Sequence, residues 1–413
     1  MFGNYLKMAW KVLGRRRFFT FVSLFGIGFT LTTLMIVVTL ADHVLAPSYP
    51  ESRRDRTLVL EQISMSGDRS TWVSGPGYKF IATYARDLPG VERLSVYTRP
   101  RQAATFRDGR KQTFDIRYTD AEFWRVMDFD FREGAAFTEA DDRNAARVAV
   151  ISESTRRRFF GDRPGVGETI DLDATAYRVV GVVRDVPWHR HDTVADVWLP
   201  LHTHRAPGFF DRLLGGCTAA MLLEPGADVR QVQAAFRERL TRVEFPDPER
   251  YHTMLGLPMT PLERLAHETL HLEIGQTAPR RFILFSLLAV LGFMLLPAIN
   301  LVNINLSRIY ERSSEIGVRK AFGAAGPHLV LQFVVENVVL CLLGGVIGLA
   351  GAFVILRAAS LLPQLPFTEF HLNWRIFAAA FLLATVFGLL SGVWPAWKMS
   401  RRHPVAALKG GTS

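Results

Sequence analysis

The residues with the spacing of a metal-dependent hydrolase are His267-Glu268-Thr269-Leu270-His271. Two histidines four positions apart on a helix can bind zinc through one face, with the intervening glutamate activating water. Such a site needs a third ligand. After Glu273 the next carboxylate is Glu311, beyond a long apolar run, and position 274 is isoleucine, where the extended pattern needs glycine. A ligand from earlier sequence stays open; otherwise these are solvated side chains at the base of an external lobe. A second group, Trp188-His189-Arg190-His191-Asp192 with His202 and His204, could gather a metal, but histidines scattered through a loop more often do not. Glu139, Asp141 and Asp142 read as a solvated loop or a helix cap, not as an acid–base pair. The glycine run from Gly161 to Thr169 has Asp162 and Glu168 where a phosphate-binding loop requires glycine and lysine. No catalytic residue, metal or cofactor is therefore expected in this chain.

A different kind of chemistry is written in Ser307 to Gly326. Arg308, Arg312, Arg319 and Lys320 outnumber Glu311 and Glu315 there, Glu315 and Arg319 are spaced to pair along a helix, and Gly317, Gly323 and Gly326 interrupt it. The segment lies between two long apolar runs. By charge pattern alone it is a basic loop on the cytoplasmic side of a membrane.

The elements that must hold it follow from composition. The chain has 413 residues, 49% of them hydrophobic, with 30 phenylalanines and a net charge of +10. This is too apolar for a soluble enzyme and too charged for spans alone. Lys and Arg cluster beside the apolar runs instead of forming a stripe with interleaved aromatics, so the excess reads as positive-inside charge and not as a nucleic-acid surface. Cys341 sits in an apolar run and Cys217 in a polar region, so no disulfide is expected between them.

Residues 1–17 form a basic, amphipathic cytoplasmic approach. Residues 18–41 carry no charge and are long enough for a first span, with Ser23, Gly26, Gly28, Thr30 and Thr33 as small positions for close packing. Residues 42–279 have no comparable run and read as one external α+β region. Period-two stretches mark strands at 57–63, 94–99, 112–118, 147–151, 177–183 and 218–223, with a hairpin at Asp108-Gly109. Helices are expected at 120–127, at 152–160 stopped by Gly161, and at 228–243 capped by Asp228. Two lobes are expected, one inserted into the other between Pro100 and Pro207-Gly208. Span two covers 280–306, with Asn300 and Asn303 placed to bond neighbouring helices; 307–327 returns to the cytoplasm. Span three covers 328–356, where Glu336 must face protein or water and Gly344 and Gly348 line a close-packing surface. A short external loop at 357–375, span four at 376–397 and a basic cytoplasmic tail at 398–413 complete the chain. The fold class is thus a membrane protein of four transmembrane α-helices, both termini inside, with a large α+β external domain between helices 1 and 2.

Residues 311–324, Glu-Arg-Ser-Ser-Glu-Ile-Gly-Val-Arg-Lys-Ala-Phe-Gly-Ala, resemble the segment after the second span of MacB/FtsX-type ABC transporter permeases. Asn300-Leu301-Val302-Asn303, Gln332 to Glu336 and the tail Pro404 to Leu408 extend the resemblance, and Val148 to Glu153 with Tyr177 to Val183 is similar to the MacB-type periplasmic core. The resemblance covers nearly the whole chain. It implies a bacterial inner-membrane permease with a porter-like periplasmic lobe and an inserted lobe. It would work as a dimer with a second copy or a related permease, beside cytoplasmic ABC ATPase subunits that carry ATP and Mg. Only 17 residues precede the first span, so the ATPase is expected on a separate chain. Glu311, Arg312, Glu315, Gly317, Arg319, Lys320 and Gly323 would meet that ATPase; Asn300, Asn303, Glu336, Gly344 and Gly348 would pack or couple within the membrane. A periplasmic adaptor, an outer-membrane channel and membrane lipid are further partners the resemblance allows. Efflux or extrusion of a drug, peptide or lipid-linked cargo is the expected role; the alternative is a non-transporting complex that actuates a periplasmic partner such as a wall hydrolase.

Overall fold

The computed structural model describes residues 14–15, 17–107, 110–311, 326–360 and scattered helical positions between 374 and 389. They fall into two compact units, one of residues 44–282 and one drawn from the chain on either side of it.

Helix α1 (Arg17–Leu45) runs past the expected end of its apolar stretch, because Asp42 and His43 continue the same backbone ladder. Phe18, Phe21, Phe25 and Phe29 stand exposed along it, the last three stacked in sequence at 6.2 and 5.9 Å. Such a stripe suits contact with lipid and not water.

The strands of the unit 44–282 come in chain order as β1 (Thr57–Leu60), β2 (Ile63–Ser66), β3 (Thr71–Pro76), β4 (Val91–Thr98), β5 (Arg101–Arg107) and β6 (Arg110–Thr119). A short helix α2 (Phe123–Val126) leads to β7 (Phe131–Gly134), then α3 (Glu139–Arg143), β8 (Val148–Ser152), α4 (Glu153–Phe160), β9 (Thr169–Leu172), β10 (Thr175–Val183) and β11 (Val197–Pro200). The unit closes with β12 (Leu214–Gly215), β13 (Cys217–Leu223), α5 (Val229–Leu240), β14 (Thr253–Gly256) and α6 (Pro261–Leu270). Ten strands form one mixed sheet whose path is β1-β13-β4-β6-β11-β8-β10-β7, with β5 on β6 and β9 on β10; the other four form the sheet β12-β3-β2-β14.

Local chemistry accounts for the boundaries. The apolar run from Thr57 splits into β1 and β2 around Glu61-Gln62, so its two pieces join different sheets. Strands β5 and β6 pair up to Arg107 and Arg110, the register of a two-residue hairpin connection. Strand β8 is buried along its whole length because it lies between β10 and β11, whereas β9 alternates exposed and buried residues. The helix expected over 120–127 shrinks to α2, since β6 continues to Thr119 and Asp120 spends its carboxylate on Ser95 Oγ, Val96 N and Phe123 N at 2.8, 2.8 and 3.0 Å. Ser152 caps α4, which Gly161 stops at φ +64°, and Asp228 caps α5.

The expected boundaries near Pro100 and Pro207-Gly208 do not separate two bodies. One core cluster combines Leu58, Val96 and Phe236 with Phe114, Ile151 and Leu199, and a second combines Tyr97 and Ala220 with Phe123, Val148 and Trp198. Residues on either side of the proposed breaks therefore share both cores. Strand β4 nevertheless meets β6 at a single register pair, Tyr97 opposite Thr119.

Helix α6 carries a complete capping box. Thr260 Oγ1 accepts from Glu263 N at 3.2 Å, Glu263 Oε2 accepts from Thr260 N at 2.9 Å, and Pro261 opens the first turn. Thr260→Ala is expected to cost about 1 kcal/mol and lower the melting temperature by about 2–4 °C in thermal denaturation of the full chain, whereas Thr260→Ser keeps the box.

Two long helices follow, α7 (Pro279–Glu311) and α8 (Gly326–Ala359). The first continues through residues expected to open the cytoplasmic segment, from Ser307 to Glu311. By length and composition α1 and the part of α8 from Val334 are apolar enough to cross a membrane.

Candidate functional site

Of the residues expected to meet an ATPase, Glu311 ends α7, while Arg312, Glu315, Gly317, Arg319, Lys320 and Gly323 lie outside the described residues. Asn300 lies on α7 with its side chain outside them too. Asn303 is exposed on the surface of α7.

Helices α1 and α8 pack through glycines. A Cβ on Gly344 would lie 2.5 Å from Ile27 Cγ2, and one on Gly348 would lie 2.7 Å from Leu31 Cβ and 3.1 Å from the Gly28 carbonyl. At that approach Thr32 Oγ1 donates to Gly348 O across the helix pair, at 3.1 Å. Ile27, Leu31 and Leu34 interlock there with Val335, Val339 and Leu340. Glu336 is 2% exposed and Asn337 4%, so the carboxylate of α8 is enclosed by protein rather than turned outward.

A buried polar cluster of the unit 44–282 centres on the loop from Arg184 to Asp196, between β10 and β11. It holds the chain where it enters the unit. Arg190, 1% exposed, donates to Ala46 O at 3.0 Å and to Ser48 Oγ, and pairs with Glu51 at 3.5 Å; Thr193 Oγ1 donates to the other oxygen of Glu51 at 2.9 Å. Around this, Tyr49 donates to Arg184 O at 2.8 Å, Ser52 to Asp128 at 2.8 Å and Arg53 to Arg125 O at 2.6 Å.

The same loop holds the chain where it leaves. Arg264 on α6 reaches both oxygens of Asp192 at 3.0 and 2.8 Å, and also pairs with Glu61 and Glu268. Tyr97 donates a further hydrogen bond to Asp192 at 3.0 Å. Arg117, 1% exposed, donates to His191 O, Val194 O and Thr98 O, and its guanidinium lies 5.2 Å over the Tyr97 ring. Burial would raise the Asp192 carboxyl, but Arg264, Arg54 and Arg117 outweigh it and hold the group down to about 2. Burial pushes the Tyr97 hydroxyl well above its ordinary range, with Asp192 adding to the effect, so it stays a donor.

In the sequence, His189, Arg190, His191 and Asp192 have the residue types of a metal site and nothing in their spacing points to this clamp. Its partners are 72 and 139 residues away in the chain, too far for local spacing to reveal them.

The metal-like patterns have other duties. His267 Nδ1 donates to Gln276 O at 3.3 Å, Glu268 pairs with Arg264, and His271 ends α6 in the left-handed region at φ 49°. His202 lies 3.1 Å from Asp142, which also accepts from His202 N. Asp141 completes a capping box with Thr138 at the start of α3, and Glu139 pairs with Arg143.

Residues 20–239 match the family model of the MacB-like periplasmic core domain and residues 287–404 that of the FtsX-like permease C-terminal region. Among curated proteins, the chain is 27% identical over 417 residues to the pyoverdine export ATP-binding/permease protein PvdT of Pseudomonas syringae pv. tomato, covering 98% of this chain and 59% of that protein. It is also 27% identical over 418 residues to the macrolide export ATP-binding/permease protein MacB of Wolinella succinogenes, covering 98% and 60%. The chain thus spans about three fifths of the length of these relatives. Among solved structures, the periplasmic region of MacB from Actinobacillus actinomycetemcomitans aligns at a TM-score of 0.38 and 14% identity, over 53% of this chain and 94% of that one. With one family model on its α+β unit and the other on its C-terminal helices, the chain belongs to the MacB/FtsX-type ABC transporter permeases.

Proposed function

We propose that this chain is the permease subunit of an ATP-driven export or extrusion system, and that it carries motion from a cytoplasmic ATPase to its α+β unit. In this reading the chain crosses the inner membrane four times with both termini inside. It pairs with a second copy or a related permease, and the ATPase acts on the segment from Ser307 to Gly326. The named relatives are pyoverdine and macrolide export proteins, and a drug, peptide or lipid-linked cargo is the corresponding proposal here.

The observation that supports transmission is the clamp. Residues 46–56 and helix α6 are fastened to one short loop by buried ion pairs, so displacement of either connection is passed to the sheet instead of being absorbed by a slack linker. Deleting one partner of such a buried, hydrogen-bonded pair is strongly destabilising, which holds the connection in one geometry.

The test lies in the charged segment. With the partner ATPase and the permease reconstituted in nanodiscs, Arg319→Glu is expected to lower permease-stimulated ATP hydrolysis about tenfold by placing like charges at the contact, while the complex still assembles on size exclusion. Stimulation equal to wild type would remove Arg319 from the coupling surface.

A further inference from the structure

A cavity of about 340 Å³ opens in the α+β unit between the β5–β6 hairpin, the β9–β10 hairpin and the segment after β11. That volume falls within the range of small-molecule sites, which begins at about 300 Å³. Its floor is apolar and aromatic: Ile116, Leu172 and Leu199 are at most 1% exposed, and Tyr118 and Tyr177 are each 5% exposed. Its rim is charged, formed by Arg101, Asp173 and the exposed Arg205.

The polar groups sort into spent and unspent. Arg101 pairs with Asp173 at 2.9 Å and donates to Tyr118 OH at 3.0 Å, and Asp173 also accepts from Ala104 N at 2.9 Å, so these charges cancel and are fixed. His204 stacks on Phe209 at 3.9 Å, meets the Tyr118 ring edge-on at 4.8 Å, and accepts from Ala206 N through Nδ1 at 3.3 Å. Burial, with Arg101 adding to it, holds that imidazole below its usual range, so it is neutral at pH 7. What is left is Arg205 and the Tyr177 hydroxyl. Among the described residues neither has a hydrogen-bond or ion-pair partner, and Arg205 is near enough to act electrostatically on Tyr177. Burial raises the Tyr177 hydroxyl, which keeps it protonated.

Both unspent groups are donors and the rim carries one surplus positive charge. A ligand must therefore bring acceptors and negative charge, together with a flat apolar body for the tyrosine-lined floor. We propose that this cavity binds a small aromatic anion, a carboxylate or sulfonate on a fused ring, with the acid group on Arg205 and the Tyr177 hydroxyl and the ring over Tyr118 and Leu199. A neutral aromatic would leave both donors without acceptors, and a cation would face Arg205. The inference concerns binding alone and does not depend on the export reading.

Isothermal titration of 2-naphthoate into the full chain in nanodiscs, with empty nanodiscs subtracted, tests it. One saturable site per chain is expected, with a Kd on the order of 10–100 µM. Arg205→Glu, an exposed position whose fold is checked by an unchanged melting temperature, is expected to weaken binding at least about tenfold, and Tyr177→Phe about threefold. In the wild-type chain 2-naphthamide, the neutral isostere, is expected to bind about tenfold more weakly. Equal binding of the acid and the amide, equal binding by wild type and Arg205→Glu, or no saturable heat up to about 5 mM would each overturn the proposal.

Discussion

Arg264→Ala will lower the melting temperature of the full chain in nanodiscs by about 10 °C. Removing the guanidinium takes away both hydrogen bonds to Asp192 and the pairing with Glu61, and leaves the Asp192 carboxylate buried at 6% exposure with Tyr97 as its remaining side-chain donor. Breaking a buried ion pair by deleting one partner costs about 3–5 kcal/mol, and in a unit of this size each kcal/mol corresponds to about 2–4 °C. Arg264→Lys keeps the charge but not the fork that spans both oxygens, so it is expected to recover only part of the loss. A melting temperature within about 2 °C of wild type for Arg264→Ala would show that the clamp contributes no stability.

The pH dependence has a definite sign. The Asp192 carboxyl is held down to about 2 in the folded chain against about 3.9 unfolded, so its contribution is complete above the unfolded value and disappears as pH falls through about 2. The gap in melting temperature between wild type and Arg264→Ala is therefore expected to be full at pH 6 and to narrow below about pH 4. A gap that stayed constant across that range would assign the stability to packing of the arginine stem and not to its charge.

Gly348→Leu will separate α1 from α8. The first atom of the new side chain already stands 2.7 Å from Leu31 Cβ and 3.1 Å from the Gly28 carbonyl, so the helices must move apart and the Thr32 to Gly348 hydrogen bond is lost. Overpacking of this kind costs about 1–3 kcal/mol before the lost contacts of Ile27, Leu31 and Val339 are counted. Purified full-chain protein is expected to melt at least about 5 °C lower than wild type on fluorescence-detected size exclusion. Gly292→Leu on α7, where an added Cβ meets nothing within 4 Å, is the matched control and should be close to neutral. Equal behaviour of the two variants would show that the glycines of α8 are not needed for this packing.

What was legible in the sequence was whatever short-range chemistry decides. Asp228 as a cap, Gly161 as a stop and the pairing of β5 with β6 up to Arg107 and Arg110 each follow from a residue and its near neighbours. Alternation located six of the strands, and its error at Glu61-Gln62 came from reading one apolar run as one strand when it serves two sheets. Asp192 and Arg264 escaped notice for the opposite reason. An Asp among histidines and an Arg on an amphipathic helix look like ordinary surface residues until the fold brings together positions 72 apart in the chain. The cavity was equally invisible, since Tyr118, Tyr177 and Arg205 come from three separate segments.

The single register pair joining β4 to β6 gives the clamp its mechanical meaning. Strands β5 to β11 carry the clamping loop, yet their register with the rest of the ten-stranded sheet is the one pair Tyr97 and Thr119, reinforced by Asp120 N on Val96 O, by the Asp120 carboxylate on Ser95 and Val96 N, and by Arg117 on Thr98 O. The clamp braces that seam: the loop beside β11 holds residues 46–56 through Arg190 and α6 through Asp192, so side chains and the two shared cores join what strand pairing joins at one pair.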